Sequence, residues 1–128
     1  MKISTKGRYA LRLMIDLAQN ESNDYVTLKD VSKRQEISVK YLEQIVSPLA
    51  RQGFLMSARG PKGGYQLAHD PSAYKVGEIL RSIEGSLAPV SCLENKPNTC
   101  PRQDACPVIG FWEGLDKVID EYVDSHTL

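Results

Sequence analysis

Features typical of many enzymes and membrane proteins are missing from this sequence. No apolar run reaches the length of a membrane span, and residues 1–14 lack the apolar core and small-residue cleavage site of a signal peptide. The two histidines, His69 and His126, lie far apart, and we find no Ser/His/Asp set, phosphate-binding loop or paired carboxylates. We therefore expect a cytoplasmic protein that is not an enzyme and does not bind membranes.

Cysteine is also scarce. All three cysteines fall in one segment with the spacing C-x7-C-x5-C: Cys92, Cys100 and Cys106. An odd number excludes full disulfide pairing within one chain, and this proline-containing segment has little apolar material to bury, so a bound metal would order it directly. Thiolates suit zinc or an iron–sulfur cluster, and the lack of C-x2-C pairs argues against zinc. A reversible thiol switch and three unligated thiols are the alternatives.

The charged residues are divided unevenly along the chain, although the net charge is zero. The 128 residues suffice for one domain with a modest core. Residues 1–65 contain 11 Lys and Arg against 6 Asp and Glu, whereas residues 66–128 contain 5 against 10. This division favours a polyanion-binding face on the first half only, and chance segregation of solvated charges is the alternative.

Apolar periodicity predicts helices over residues 5–20, 28–35, 39–53, 73–85 and 108–128. Thr27, followed by Asp30, resembles a capping box at the start of the second helix. Ser38 is a good N-cap for the third helix, and Gly53 is a good residue to end it. Strands over 54–58 and 65–68, joined by a Gly- and Pro-rich turn, predict a hairpin. The expected fold is mainly α: a winged helix-turn-helix with a two-stranded β wing (1–85), a cysteine-containing loop (86–107) and a long C-terminal dimerisation helix (108–128), in a single structural domain.

The third helix is the expected recognition helix, with its N-terminal residues at base edges in the major groove. Its candidate DNA contacts are Ser38, Lys40, Tyr41, Glu43, Gln44 and Arg51. Gln44 suits adenine and Lys40 suits guanine or phosphate, whereas Glu43 is repelled by phosphate unless it accepts from cytosine. Glu43 therefore discriminates against sequences as much as it attracts any. The alternative is an ordinary solvated helix face.

The hairpin tip completes the expected DNA interface. Arg59 and Lys62 would lie beside a phosphate backbone, and Gly60 and Gly63 lack the Cβ atoms that would hold the chain away from it. The ligand predicted from both elements is double-stranded DNA.

The last helix carries an apolar stripe made of Trp112, Leu115, Ile119 and Tyr122. This stripe is longer than the core of a small domain requires, so we favour a homodimer interface over packing within its own domain. A two-fold dimer would place two recognition helices about one DNA turn apart, on a roughly palindromic operator.

Three stretches carry a family resemblance: "MKISTKGRYALRLMIDLA", "ISVKYLEQIVSPLARQGFLMSARGPKGGYQLA" and "VGEILRSIEG". They closely resemble the Rrf-type family of bacterial winged-helix transcription regulators, above all the branch that binds iron–sulfur clusters and regulates cluster assembly genes. The resemblance implies a homodimer with a 2Fe–2S cluster near its interface. It makes Cys92, Cys100 and Cys106 the cluster ligands and makes Glu43 the residue through which cluster status alters sequence preference.

The fourth cluster ligand stays open. In that branch a histidine follows the last cysteine by three residues, but here this position is Ile109, which cannot ligate. An acidic residue near the N-terminus serves in another branch, but here Arg8 takes its place. The candidates are Glu94, Asp104, Glu113, a residue of the partner subunit and a small thiol.

We expect a DNA-binding transcriptional regulator that senses an iron–sulfur cluster and represses genes of cluster assembly or sulfur metabolism. A nitric-oxide or thiol-redox sensing repressor on the same scaffold is the first alternative. A metal-trafficking or scaffold protein that does not bind DNA is the second.

Overall fold

The computed structural model describes residues 2–20, 24–95 and 105–128. Within these ranges the chain forms five α-helices and one two-stranded antiparallel sheet. The helices are α1 (Thr5–Gln19), α2 (Leu28–Gln35), α3 (Val39–Arg51), α4 (Val76–Glu84) and α5 (Ile109–Asp124); the strands are β1 (Leu55–Ala58) and β2 (Gly64–Leu67). Short 3-10 turns, Pro71–Ala73 and Ser91–Leu93, lie in the connections. The predicted order of elements is confirmed.

The first three helices begin at side-chain caps. The hydroxyl oxygens of Ser4, Thr27 and Ser38 each accept a hydrogen bond from the backbone N–H three residues later, at 3.1 Å. Each bond satisfies one of the N–H groups that a helix start leaves without a partner. The caps that the sequence predicts at Thr27 and Ser38 are confirmed.

One core joins α1–α4 and the hairpin, and α5 lies outside it. Side chains with no exposed surface come from each of these four helices: Leu13, Met14, Val31, Leu42, Ile45, Leu49 and Ile79. Leu55 and Leu67, which are paired across the sheet, close the core on the hairpin side. No residue of α5 is buried. Among the described helices, none combines the length and apolarity needed to cross a bilayer.

The hairpin is tied to the segment that precedes α2. Val26 and Tyr65 exchange two backbone hydrogen bonds of 2.8 and 2.7 Å, which makes an antiparallel bridge beside β2. The hairpin therefore keeps a fixed position relative to the start of α2, instead of projecting from its own two strands alone.

The fourth helix begins later than the periodicity predicts. The sequence predicts a helix from residue 73, but α4 begins at Val76, after a separate 3-10 turn capped by Asp70. The reason is the buried side chain of Tyr74: its hydroxyl donates to the carbonyl of Phe54 at 2.6 Å and accepts the N–H of His69 at 3.1 Å. Extended backbone at Tyr74 belongs to this arrangement and breaks the helix there.

A buried carboxylate connects α1 to α2. Asp16 is 1% exposed. Arg34 donates to its two oxygens at 2.7 and 3.0 Å, and the side-chain amide of Gln35 donates at 2.9 Å. Burial alone would raise the pKa of Asp16, but the hydrogen bonds from Arg34 and Gln35 and the charge of Arg34 outweigh it and hold that pKa below its usual value.

We expect Asp16→Asn to destabilise the protein by about 1–3 kcal/mol at pH 7, because the bidentate ion pair is lost in a buried position. Since the folded pKa is depressed, the stabilisation by the carboxylate is full above its unfolded pKa of about 4 and disappears as the pH falls through the folded value. Urea unfolding between neutral and acidic pH measures this. The gap between wild type and variant should close in acid, whereas Glu121→Gln, at an exposed position, should show little gap at any pH.

Candidate nucleic-acid interface and cysteine segment

The polar residues of the predicted recognition helix α3 face outward because its opposite, apolar face packs in the core. Leu42, Ile45, Val46 and Leu49 are buried. Ser38, Lys40, Glu43, Gln44 and Arg51 are exposed. Most of the predicted contacts therefore share the surface at the N-terminal half of α3. Arg51 lies at the other end, roughly 16 Å from Lys40 along the axis.

Tyr41 is held more tightly than the other predicted contacts. It is half-buried, and its ring packs edge-on against Tyr9 of α1 with centroids 5.5 Å apart. Arg12 lies over the Tyr9 ring at 5.2 Å and donates to the side chain and the backbone carbonyl of Gln35. Sequence analysis missed this support. Its only signal was the i, i+3 spacing of Tyr9 and Arg12 on α1.

The turn between α2 and α3 contains a strained residue. Glu36 adopts the left-handed conformation with φ 56° and ψ 44°, the one positive φ among described residues other than glycine. Ile37 is buried directly after it, and Ser38 caps α3. The left-handed conformation of Glu36 thus sets the angle between α2 and the recognition helix, and the buried side chain of Ile37 holds the turn against the core.

The hairpin tip is a tight β-turn with both basic residues exposed. The N–H of Gly63 donates to the carbonyl of Gly60 at 2.9 Å, and Pro61 occupies the second turn position. Gly60 has φ 99°, with open space around it. Gly63 is buried, and a Cβ there would collide with the Ala58 carbonyl oxygen. Gly63 is therefore needed by the turn itself, a reason that the sequence prediction did not include.

The described part of the cysteine segment lies against α5. Cys92 is in the turn Ser91–Leu93, which contacts α5, and Cys106 lies three residues before that helix. Both residues are half-buried and free of disulfides. Cys100 and Asp104, a predicted ligand and a ligand candidate, lie outside the described residues. Glu94 and Glu113 are exposed.

The donor set of the cysteine segment fits a thiolate-bound iron centre in its chemistry. One cysteine lies in a turn that contacts α5, another lies three residues before that helix, and a third follows from the sequence. Within residues 2–20, 24–95 and 105–128, no three His, Cys, Asp or Glu side chains are grouped as a metal site. The described residues alone therefore do not complete such a site.

Comparison with known proteins identifies the fold and the family. The family model "Rrf2: Iron-dependent Transcriptional regulator" matches residues 3–128. The chain belongs to the Rrf2 family. The protein rrf2 of Nitratidesulfovibrio vulgaris is 38% identical over 128 residues, which cover all of this chain and 85% of the relative.

Solved structures of Rrf2 relatives confirm the winged helix-turn-helix. CymR, the global cysteine regulator of B. subtilis, is 38% identical with a TM-score of 0.79, covering 99% of this chain and 92% of CymR. T. potens IscR is 39% identical with a TM-score of 0.79, covering 99% and 82%. This Rrf2 chain is thus a DNA-binding transcriptional regulator, and nothing in its relatives indicates catalysis.

We expect Glu36→Gly to stabilise the protein by about 0.5–1 kcal/mol. Glycine adopts the left-handed conformation without the steric cost of about 1–2 kcal/mol that a Cβ brings, but the greater conformational entropy of glycine in the unfolded chain offsets part of this gain. Urea unfolding at neutral pH measures the change. Glu36→Ala is the control, since it removes the same carboxylate but keeps the Cβ. Equal stabilisation by both variants would attribute the effect to charge and contradict the role of backbone strain.

Proposed function

We propose that this chain is a homodimeric transcriptional regulator whose affinity or sequence choice for a roughly palindromic operator depends on an iron–sulfur cluster held by Cys92, Cys100 and Cys106. The genes it controls would be those of cluster assembly or sulfur supply. One observation carries the proposal: the turn that contains Cys92 contacts α5, and Cys106 lies three residues before that helix, which has no buried residue. Regulation by iron also agrees with the description of the family.

The exposed face of α3 supports reading of bases by the N-terminal half of the helix. Lys40, Glu43 and Gln44 project from the part of the helix that enters the major groove in helix-turn-helix proteins. The carboxylate of Glu43 among them is unfavourable near phosphate, so this residue contributes to sequence choice rather than to affinity. Arg59 and Lys62 on the wing contribute affinity that does not depend on sequence.

A second copy of this chain is the proposed partner of α5. Phe111, Val118 and Tyr122 are 67%, 60% and 66% exposed, an unusual state for large apolar side chains on one helix. Beside them lies a purely apolar groove of about 320 Å³ between the N-terminal segment, α4 and α5, lined by Ile3, Leu80, Leu87, Val118, Ile119, Tyr122 and Val123. In a two-fold dimer, the α5 helix of each protomer supplies both these exposed side chains and part of the groove that receives the partner's.

The cluster proposal uses the chemistry of the cysteine segment. When bound, an iron–sulfur cluster supplies a centre that is lost or oxidised easily and so reports iron and redox status. The chain's own part is to fix Cys92 in its turn against α5 and Cys106 in front of that helix. Glu94, Asp104, Glu113, a partner residue and a small thiol stay open as the fourth ligand.

Sensing of thiol oxidation without a metal is the second candidate. It is favoured by Cys92 and Cys106, which are only partly buried and form no disulfide. The similarity to CymR, a cysteine regulator, also leaves this function open. An iron-independent response of DNA affinity to oxidant would support this candidate against the cluster.

We expect Arg59→Ala combined with Lys62→Ala to weaken DNA binding about equally for all sequences. The slope of log affinity against log salt should become less steep by about 3–4, because each of the two wings of the dimer loses two phosphate contacts. Fluorescence anisotropy with specific and random duplexes at several salt concentrations measures both effects. Lys117→Ala, an exposed lysine on α5, should leave the slope unchanged. An unchanged slope in the double variant would remove the wing from the DNA interface.

We expect anaerobically purified wild type to absorb visible light and to contain iron and acid-labile sulfide, and Cys92→Ala or Cys106→Ala to lose both, because each removes a thiolate ligand. Ser91→Ala, the exposed neighbour of Cys92, should keep them. The DNA affinities of the loaded and cluster-free wild type should differ by about fivefold or more. A colourless wild type that binds zinc after anaerobic reconstitution would contradict the cluster.

A further inference from the structure

The helix that follows the cysteines is attached to its own protomer mainly at its far end. α5 has no buried residue. Near its C-terminus, however, the chain makes a bridge between Lys75 and Thr127, and the N–H of Val76 donates to the carbonyl of His126 at 2.9 Å. The start of α4 therefore holds the end of α5, whereas Cys106 lies before the start of α5, roughly 24 Å away along the helix.

Arg81 makes the main polar contact of this joint. Its two terminal nitrogens donate to Asp124 at 2.9 Å and to Asp120 at 2.8 Å, so that one guanidinium on α4 spans two successive turns of α5. All three side chains are about one-third exposed. The hydrogen bond and the charge of Arg81 hold the pKa of Asp124 below its usual value, although burial opposes this. Both carboxylates are thus positioned by one cation.

Gly77 lets the two helices approach closely at the same place. A Cβ on Gly77 would collide with the carboxylate of Asp124 and come within 2.8 Å of the side chain of Val123. The contact between α4 and α5 is therefore fixed by the close approach at Gly77 and by the ion pairs of Arg81, which lies one turn later on α4.

The joint shares a cleft with the cysteine segment. A cavity of about 530 Å³ is lined by Arg81, Asp120 and Asp124 of the joint and by Leu93 and Glu94. Leu93 follows Cys92 in the same 3-10 turn. A rearrangement of the cysteine segment would therefore act on the cleft into which the Arg81 ion pairs face.

The same α4 is packed against the recognition helix. Ile79, two residues before Arg81, has no exposed surface and belongs to the core cluster that contains Leu42, Ile45 and Leu49 of α3. Close-packed side chains of this kind transmit displacement instead of absorbing it. A shift of α4 is thus a shift of the surface that supports the polar face of α3.

We infer that Arg81 is a positioning residue: its bridge to Asp120 and Asp124 transmits the state of the cysteine segment from α5 through α4 to the recognition helix. The inference rests on the proposed function, because it presumes that the state of the cysteines alters DNA binding. Without the bridge, the cysteines keep their places beside and before α5 and α3 keeps its proposed DNA contacts, but the cysteine segment and α3 are no longer linked.

The test is an affinity ratio measured for wild type, Arg81→Met, Arg81→Lys and Lys117→Met. Each protein is purified anaerobically, and its affinity for a duplex selected by wild type from a random-sequence library is measured with and without the cluster. We expect a ratio of about fivefold or more in wild type and Lys117→Met, and a ratio within about twofold in Arg81→Met, with iron and sulfide content unchanged. Arg81→Lys should restore part of the ratio, since lysine pairs with one carboxylate at a time.

A retained iron content with a lost ratio cannot come from simple loss of structure. Hydrogen exchange gives a second readout: loading should change protection in α3 and α4 of wild type and only at the cysteine segment of Arg81→Met. If Arg81→Met does not fold, Asp120→Asn and Asp124→Asn each remove one partner, and a full ratio in both would overturn the inference. A wild-type ratio retained in Arg81→Met overturns the inference alone, whereas a wild-type ratio of one overturns the proposed function as well.

Discussion

The position of the recognition helix depends on one buried charge, the carboxylate of Asp16. A charge with 1% exposure is tolerable only with well-placed partners, and both partners, Arg34 and Gln35, lie at the end of α2. The carboxylate thus fixes the end of α2 on α1. The left-handed residue Glu36 follows immediately, and the Ser38 cap then begins α3. The outward direction of the predicted DNA-contacting side chains of α3 is set within these few residues.

The last helix shows the opposite arrangement, because it has no share in that core. Phe111, Val118 and Tyr122 remain exposed, and its contacts with the protomer include one close helix crossing at Gly77 and one three-residue ion-pair cluster around Arg81. Partly exposed ion pairs contribute modest stability, on the order of 1 kcal/mol or less. A helix held this way is fixed by fewer buried contacts than the elements of the core, which suits the role proposed for the cysteines that precede it.

Sequence patterns predicted the elements whose causes are local. Helix caps at Thr27 and Ser38, the apolar face of α3 and the turn residues of the wing all act within a few positions, and each was confirmed. What the sequence could not predict depends on contacts between distant positions. The hydroxyl of Tyr74 reaches Phe54, 20 positions away, and delays α4; Arg81 meets aspartates 39 and 43 positions away. Composition and periodicity do not indicate which residues far apart in the sequence will be in contact. The predicted DNA contacts and cluster ligands likewise stay predictions.

The division of charge along the sequence acquires a structural meaning from these contacts. Part of the negative charge of residues 66–128 lies on α5, where Asp120 and Asp124 pair with Arg81 while Glu113 and Glu121 are exposed. An acidic helix is repelled by the phosphate backbone, whereas the basic wing and α3 are attracted to it. In the proposed interface, these charges hold α5 and the cysteines beside it away from the DNA. Any influence of the thiols on operator binding must then pass through the protein, and among the described residues the crossing of α4 and α5 is a short connection to the core beneath α3.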